Sequence, residues 1–146
     1  MSATDSMVTL QERMVNLIGQ LTMPVSEVAL VLQHHIQGLL GSLNEYAQKT
    51  GASIGDRVRK PWPIESQTET SENMISFDVE KVLRIVDQDR MDILSTLIRV
   101  TLVETEMDLV EGILALRAWE QLVRQQLAEA TVPGQLFSPL EFPEEW

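Results

Sequence analysis

The stretch from residue 76 to residue 130 contains no proline and a single glycine, so it admits long helices. Apolar residues recur along it at steps of three, four or seven, which is the period of one helix face. The first apolar line comprises Val79, Leu83, Val86, Ile93, Leu97, Val100, Val103, Met107, Val110 and Leu114. A second line widens this face over the later half and comprises Leu94, Ile98, Leu102, Leu109, Ile113, Leu116, Trp119 and Val123. A helix that is apolar around so much of its circumference must be covered by other helices or by other copies of the chain.

A single helix over the whole stretch is hard to reconcile with the length of the chain. At 1.5 Å per residue it would be about 80 Å long, which is longer than a globule of this size is wide. Polar residues cluster from Asp87 to Arg90, and we predict a break there. The stretch then forms helices over about 77–88 and 90–130, and one unbroken helix in an elongated protein is the alternative.

Two further helices are predicted before this stretch. Thr9 and Glu12 have the spacing of a capping box, and apolar residues at helical spacing follow, so the first helix is expected over about 9–21. Pro24 ends that helix and suits the first turn of the next one, which we place at about 24–49.

The segment 51–75 changes character and is predicted to be a long connecting loop. It holds a small basic cluster and Trp62 between Pro61 and Pro63, followed by a polar, acidic run without periodicity. Connections of this length are uncommon in compact domains unless they are functional or flexible. Two interpretations stay open: a surface crossover with Trp62 packed on the helices, or a partner-binding loop that presents Trp62 as a rigid anchor.

The last residues, 133–146, are predicted to form an extended docking tail. They are rich in proline and have no helical period, yet they contain more aromatic residues than disordered segments usually do. Docking on the chain's own helices and docking on another protein are both open. With Trp62, the candidate partner-binding residues are Leu136, Phe137, Leu140, Phe142 and Trp146.

These elements predict one all-α domain over residues 1–132, followed by the tail. The expected architecture has three to four helices, arranged as an antiparallel bundle or as an intertwined helical oligomer. The long central connection and the extended C-terminal tail are its irregular parts.

Charge and composition exclude several classes of function. The net charge of −11 disfavours direct contact with nucleic acid, which requires a basic surface. Cysteine is absent, so disulfides and thiolate metal sites are ruled out. We find no membrane-spanning run and no signal peptide, and we expect a cytoplasmic location or a place within an assembled complex.

The sequence offers little support for catalysis or for bound metal. His34 and His35 are adjacent and lack the spacing of helical metal sites. Glu104, Asp108 and Glu111 would share one face of a continuous helix, where a solvated acidic stripe is the expected outcome. No phosphate-binding or nucleophile motif occurs. We therefore predict no catalytic residue, no cofactor and no metal ligand.

The predicted function is that of a small, acidic, non-enzymatic helical subunit that self-assembles or binds a partner protein. The reason is that residues 90–127 carry more apolar surface than two short helices easily cover. Alternatives are a secretion-type chaperone or adaptor, an acidic inhibitor that imitates nucleic acid, and a metal-dependent helical enzyme.

Overall fold

The computed structural model describes residues 3–64, 86–129 and 139–140. Within these residues the chain forms five helices and no strand, which confirms the all-α class. The only β-type pairing there is an isolated antiparallel bridge between Pro24 and Pro139. The helices are α1 (Ala3–Leu21), α2 (Val25–Thr50), α3 (Asp56–Arg59), α4 (Gln88–Glu104) and α5 (Leu109–Glu129).

Helix α1 begins earlier than predicted, at Ala3 instead of near Thr9. The hydroxyl of Thr9 does not cap a helix but donates to the carbonyl of Asp5, 2.9 Å away, within α1. Threonine makes this bond to the preceding turn inside helices, and the pattern of a capping box cannot distinguish the two roles. The predicted start was therefore wrong, although the predicted end at Leu21 is confirmed.

A tight connection joins α1 to α2. Thr22 adopts the left-handed conformation, with φ of 50°, and the amide of Met23 donates to the carbonyl of Ile18 over 3.1 Å. This closing bond is typical of the left-handed ends of helices. Pro24 then precedes α2, which ends at Thr50, and Gly51 follows in the left-handed conformation with φ of 74°. The bounds of α2 agree closely with the predicted 24–49.

The long apolar stretch is interrupted at the position where the sequence predicts a break. Val86 and Asp87 are not helical, and the Asp87 carboxylate accepts hydrogen bonds from the amides of Asp89 and Arg90. This side-chain cap satisfies free amides at the start of α4. The unbroken helix is therefore excluded, and the predicted helix over 77–88 lies outside the described residues apart from its last three positions.

A second break, between Glu104 and Leu109, was not predicted, and the expected helix over 90–130 is wrong in this respect. Glu106 lies there in the left-handed conformation, with φ of 55°. Asp108 and Glu111 form a reciprocal capping box, since each carboxylate accepts a hydrogen bond from the other residue's amide. The predicted acidic stripe is therefore corrected: Asp108 and Glu111 begin a helix instead of lining one.

One hydrophobic core joins the four long helices. Helix α1 packs mainly against α4, whereas α2 lies against both α4 and α5. The fully buried members of this core include Leu10 and Met14 of α1, Val28 and Leu32 of α2, Leu94 and Ile98 of α4, and Leu116 and Trp119 of α5. Each helix thus contributes one apolar face, as its periodicity predicts.

A buried ion pair connects the first turns of α2 and α4. The carboxylate of Glu27 is 1% exposed and accepts two hydrogen bonds from Arg90, at 2.8 Å and 2.6 Å. It also accepts a bond of 3.2 Å from the amide of Asp87. The hydrogen bond to Glu27 raises the pKa of Arg90 above its ordinary value. Two-point contact of this kind sets geometry as well as energy.

The two apolar lines of the later half separate in the structure. Most of the second line is buried, including Leu94, Ile98, Ile113 and Val123. The first line instead leaves Ile93, Val100, Val103 and Val110 exposed on α4 and α5. The chain therefore covers one of its two apolar lines and leaves much of the other at the surface.

We predict that replacing Thr22 by glycine stabilises the protein by about 0.5–1 kcal/mol. Glycine relieves the cost of a β-branched residue at positive φ, although it increases the entropy of the unfolded chain. Urea denaturation of the variant measures this change. The control is Gln33→Gly at an exposed position inside α2, which should destabilise by about 1 kcal/mol. Destabilisation by Thr22→Gly would contradict the left-handed conformation.

We also predict that Glu27→Gln destabilises the protein by about 2 kcal/mol, because the substitution removes a buried charge that accepts three hydrogen bonds. The matched control is Glu104→Gln, whose partner Arg13 lies 2.7 Å away in an exposed pair. That control should cost less than about 1 kcal/mol. Equal losses in urea denaturation would mean that the Glu27 pair does not determine the packing of α4.

Candidate functional site

The outward face of α4 carries a short line of uncharged side chains, which we name the α4 seam. It consists of Ile93, Thr96, Val100 and Val103, and these positions follow steps of three and four along the helix. The exposed fractions of Ile93, Val100 and Val103 are 48%, 41% and 72%. Single exposed aliphatic residues are common on protein surfaces. Three on one helix face expose a larger apolar area to water, which is unfavourable in free energy.

Charged residues border the α4 seam on both sides. Asp92 and Arg99 lie along one edge, and Glu104 lies along the other. Arg99 forms no ion pair or hydrogen bond with any residue that the structure describes, whereas Glu104 pairs with Arg13 of α1. Among the described residues, the border therefore contains a cation without an ion-pair partner in a strongly acidic protein.

An open groove runs beside Arg99, between α2 and α4. Its volume is about 450 Å³, and Leu39, Leu102, Val103 and Met107 supply its apolar lining. The same groove is lined by Arg99, His35 and Glu106. This mixture of apolar and charged groups suits contact with a side chain of another protein better than enclosure of a small ligand, because the groove is open to solvent.

His35 is the one of the two adjacent histidines for which a hydrogen bond to α4 is found among the described residues. Its Nε2 atom shares a hydrogen bond of 2.8 Å with Oγ of Ser95. Partial burial is the largest cause that lowers the pKa of His35, and the nearby charges of His34 and Arg99 act in the same direction. The imidazole is therefore neutral at pH 7. Ser95 was not singled out in the sequence, since an isolated serine carries no signal of such a partner.

Among the described residues, the His35–Ser95 pair has no third member of a nucleophilic triad. In the described part of the chain, no carboxylate bonds to the other imidazole nitrogen, so nothing orients the ring as a general base. Over the same residues, no group of three histidine, aspartate or glutamate side chains is placed to hold a metal ion. The pair is consistent with a structural contact between α2 and α4.

The predicted loop around Trp62 lies against its own chain. The indole Nε1 donates to the carbonyl of Arg57 over 2.8 Å, and the Arg57 guanidinium lies 4.6 Å from the ring centroid. The carbonyls of Trp62 and Pro63 accept hydrogen bonds from Arg124 and Gln121 of α5. This arrangement matches the interpretation as a surface crossover, and binding of a partner by Trp62 stays a prediction.

Arg117 explains why the loop lies where it does. This arginine is 3% exposed. It donates hydrogen bonds of 3.1 Å and 3.0 Å to the carbonyls of Val58 and Arg59, which lie at the C-terminal end of α3. It also forms an ion pair of 2.8 Å with Glu120. An arginine suits this position, because the last carbonyls of a helix lack partners within the helix. Sequence periodicity does not reveal this role. Arg117 follows two apolar residues, Ala115 and Leu116, and this position alone does not show which groups the guanidinium contacts.

Of the predicted tail, the structure describes only Pro139 and Leu140. Leu140 is 6% exposed and belongs to the main core, and its amide donates to the carbonyl of Met23 over 3.1 Å. This residue therefore docks on its own chain and is not displayed to a partner. The other candidate tail residues lie outside the described residues: Leu136, Phe137, Phe142 and Trp146.

Among the described helices, none combines the length and the apolar character needed to cross a membrane. The chain matches no protein-family model, and neither a curated protein sequence nor a solved structure shows significant similarity to it.

We predict that His35 makes the protein less stable as the pH falls below about 6.5. The pKa of His35 is lowered in the folded state, so the unfolded chain binds the proton first and acidification favours unfolding. The thermal midpoint of the wild type should therefore fall more between pH 7.5 and pH 5 than that of His35→Gln, because glutamine does not titrate. An NMR titration midpoint of His35 at or above 6.5 would contradict the prediction.

Proposed function

We propose that the protein is a non-enzymatic, acidic helical subunit that self-assembles or binds a partner protein. Its four long helices act as a bundle that displays the α4 seam as the contact surface. The single observation that carries the proposal is the exposure of Ile93, Val100 and Val103 on one face, although buried residues line the opposite face of the same helix.

The pattern on α4 is unusual for a helix that only supports a monomer. A surface helix normally has one apolar face and one charged face. In α4 the face opposite to Leu94, Ile98 and Thr101 carries no charge from residue 93 to residue 103 other than at its borders. An uncharged outer face with β-branched side chains supports contact with another protein, where that area is removed from water.

The charge of the chain also supports a specific contact rather than general adhesion. A net charge of −11 keeps copies apart in solution unless a particular surface overcomes the repulsion. The chaperone-like role and the imitation of nucleic acid draw no specific support from the described residues.

We predict that the double variant Ile93→Asp/Val100→Asp loses association. Light scattering at several concentrations should show a mass above that of one chain for the wild type and the mass of one chain for the variant. Two buried aspartates in a contact surface are costly, whereas the same residues in a solvated monomer cost little. The matched control is Tyr46→Asp, which changes an exposed apolar residue of α2 that lies away from the seam. A wild type that stays monomeric at every concentration would reject self-assembly.

A further inference from the structure

We propose that a second copy of this chain covers the α4 seam, with the two α4 helices packed side by side in parallel. The inference rests on the proposed function and specifies its contact: α4 against the α4 of the partner copy, related by a two-fold axis. Each copy then supplies charged residues that lie at the border of the other copy's seam, so one chain alone does not form the complete contact surface.

The spacing of the seam is that of a short coiled coil. Ile93 and Val100 are seven residues apart and occupy the a positions of a heptad. Thr96 and Val103 follow each of them by three residues and occupy the d positions. All four side chains are β-branched: isoleucine and valine at a suit parallel two-stranded pairs, whereas threonine and valine at d replace the leucine that such pairs favour there.

The charges at the borders select the parallel arrangement. Arg99 occupies a g position and Glu104 the e position five residues later, and g-to-e′ pairs of this spacing meet across parallel helices. Each copy of the dimer therefore offers Glu104 to Arg99 of its partner, which has no ion-pair partner among the described residues of its own chain. The Glu104 carboxylate already accepts one bond from Arg13, and a carboxylate has lone pairs for a second arginine.

An antiparallel pair fits these charges poorly. The antiparallel register that stacks all four seam residues places Ile93 beside Val103 of the other copy and Thr96 beside Val100. The same register brings the two Arg99 side chains together at the g–g′ border, and like charges in that position repel. The borders therefore disfavour the antiparallel alternative.

The contact is short, so the dimer is expected to be weak. The seam extends over about 15 Å from Ile93 to Val103, at 1.5 Å per residue. Interfaces at the small end of the range support transient association. We therefore expect a dimer fraction that rises with protein concentration instead of a permanent dimer.

The absence of cysteine from the chain allows a direct test by single-cysteine cross-linking. In the parallel pair, Val103 lies beside Val103 of the other copy, and Val103→Cys should form a disulfide-linked dimer under mild oxidation. In the antiparallel pair the two positions are about 15 Å apart, which is farther than a disulfide spans. Ser42→Cys, at an exposed position of α2, is the control and should remain mostly monomeric.

A charge exchange tests the ion pair across the two copies. Arg99→Glu should weaken the dimer at least fivefold in sedimentation equilibrium, because it places Glu at the g position opposite Glu104. Glu104→Arg should weaken it as well, and the double variant Arg99→Glu/Glu104→Arg should recover most of the affinity. Circular dichroism of each variant shows whether the monomer remains folded, which separates loss of contact from loss of fold.

The outcomes distinguish this inference from the more general proposal. A concentration-dependent dimer without Val103→Cys cross-linking, or with equal linking of Ser42→Cys, would keep self-assembly and overturn the parallel α4 contact. Single charge variants that leave the affinity unchanged would also overturn it. A monomer at every concentration would reject both the dimer and self-assembly.

Discussion

The ion pair between Glu27 and Arg90 is the contact on which the arrangement of α4 depends. Arg90 lies in the first turn of α4, and its guanidinium meets a carboxylate that is closed off from water. Since residues four apart on a helix lie on one face, directing Arg90 towards α2 also directs Leu94 and Ile98 inward. The same orientation of α4 about its axis directs Ile93 and Val100 outward. The ion pair and the burial of one of the two apolar lines thus belong to the same orientation of α4.

A second set of polar contacts has a comparable role at the segment that contains α3 and Trp62. Arg117 holds the end of α3 by its carbonyls, and Arg124 and Gln121 hold the next residues of the loop. Arg90 and Arg117 each bond to more than one acceptor atom, which restricts direction as well as distance. Apolar burial provides most of the driving force for folding, but it is not directional. The arginine contacts supply the missing direction.

The α4 seam combines features that are otherwise separated in this protein. Its centre is uncharged and β-branched, whereas its borders carry both signs of charge in a chain with an excess of acid. Such a surface attracts a partner with the matching pattern and repels an unmatched acidic surface. The groove beside it is lined by Arg99, Glu106 and the imidazole of His35. The proposed association would therefore be selective without needing a large interface.

The sequence by itself determined the all-α class, the ends of the first two helices near Leu21 and Thr50, and the break before Gln88, because period, proline and capping residues act locally. It did not determine that α1 starts at Ala3, since a threonine hydroxyl such as that of Thr9 can either cap the start of a helix or bond to the preceding turn within one. It also concealed the break after Glu104, where the Asp108–Glu111 capping box lies within an unbroken apolar pattern. Only the tertiary structure decided that Leu140 docks in the core and that one apolar line of α4 faces outward. Periodicity gives the spacing of a helix face, but the direction of that face depends on contacts between residues far apart in the chain, such as Glu27 with Arg90 and Ser95 with His35.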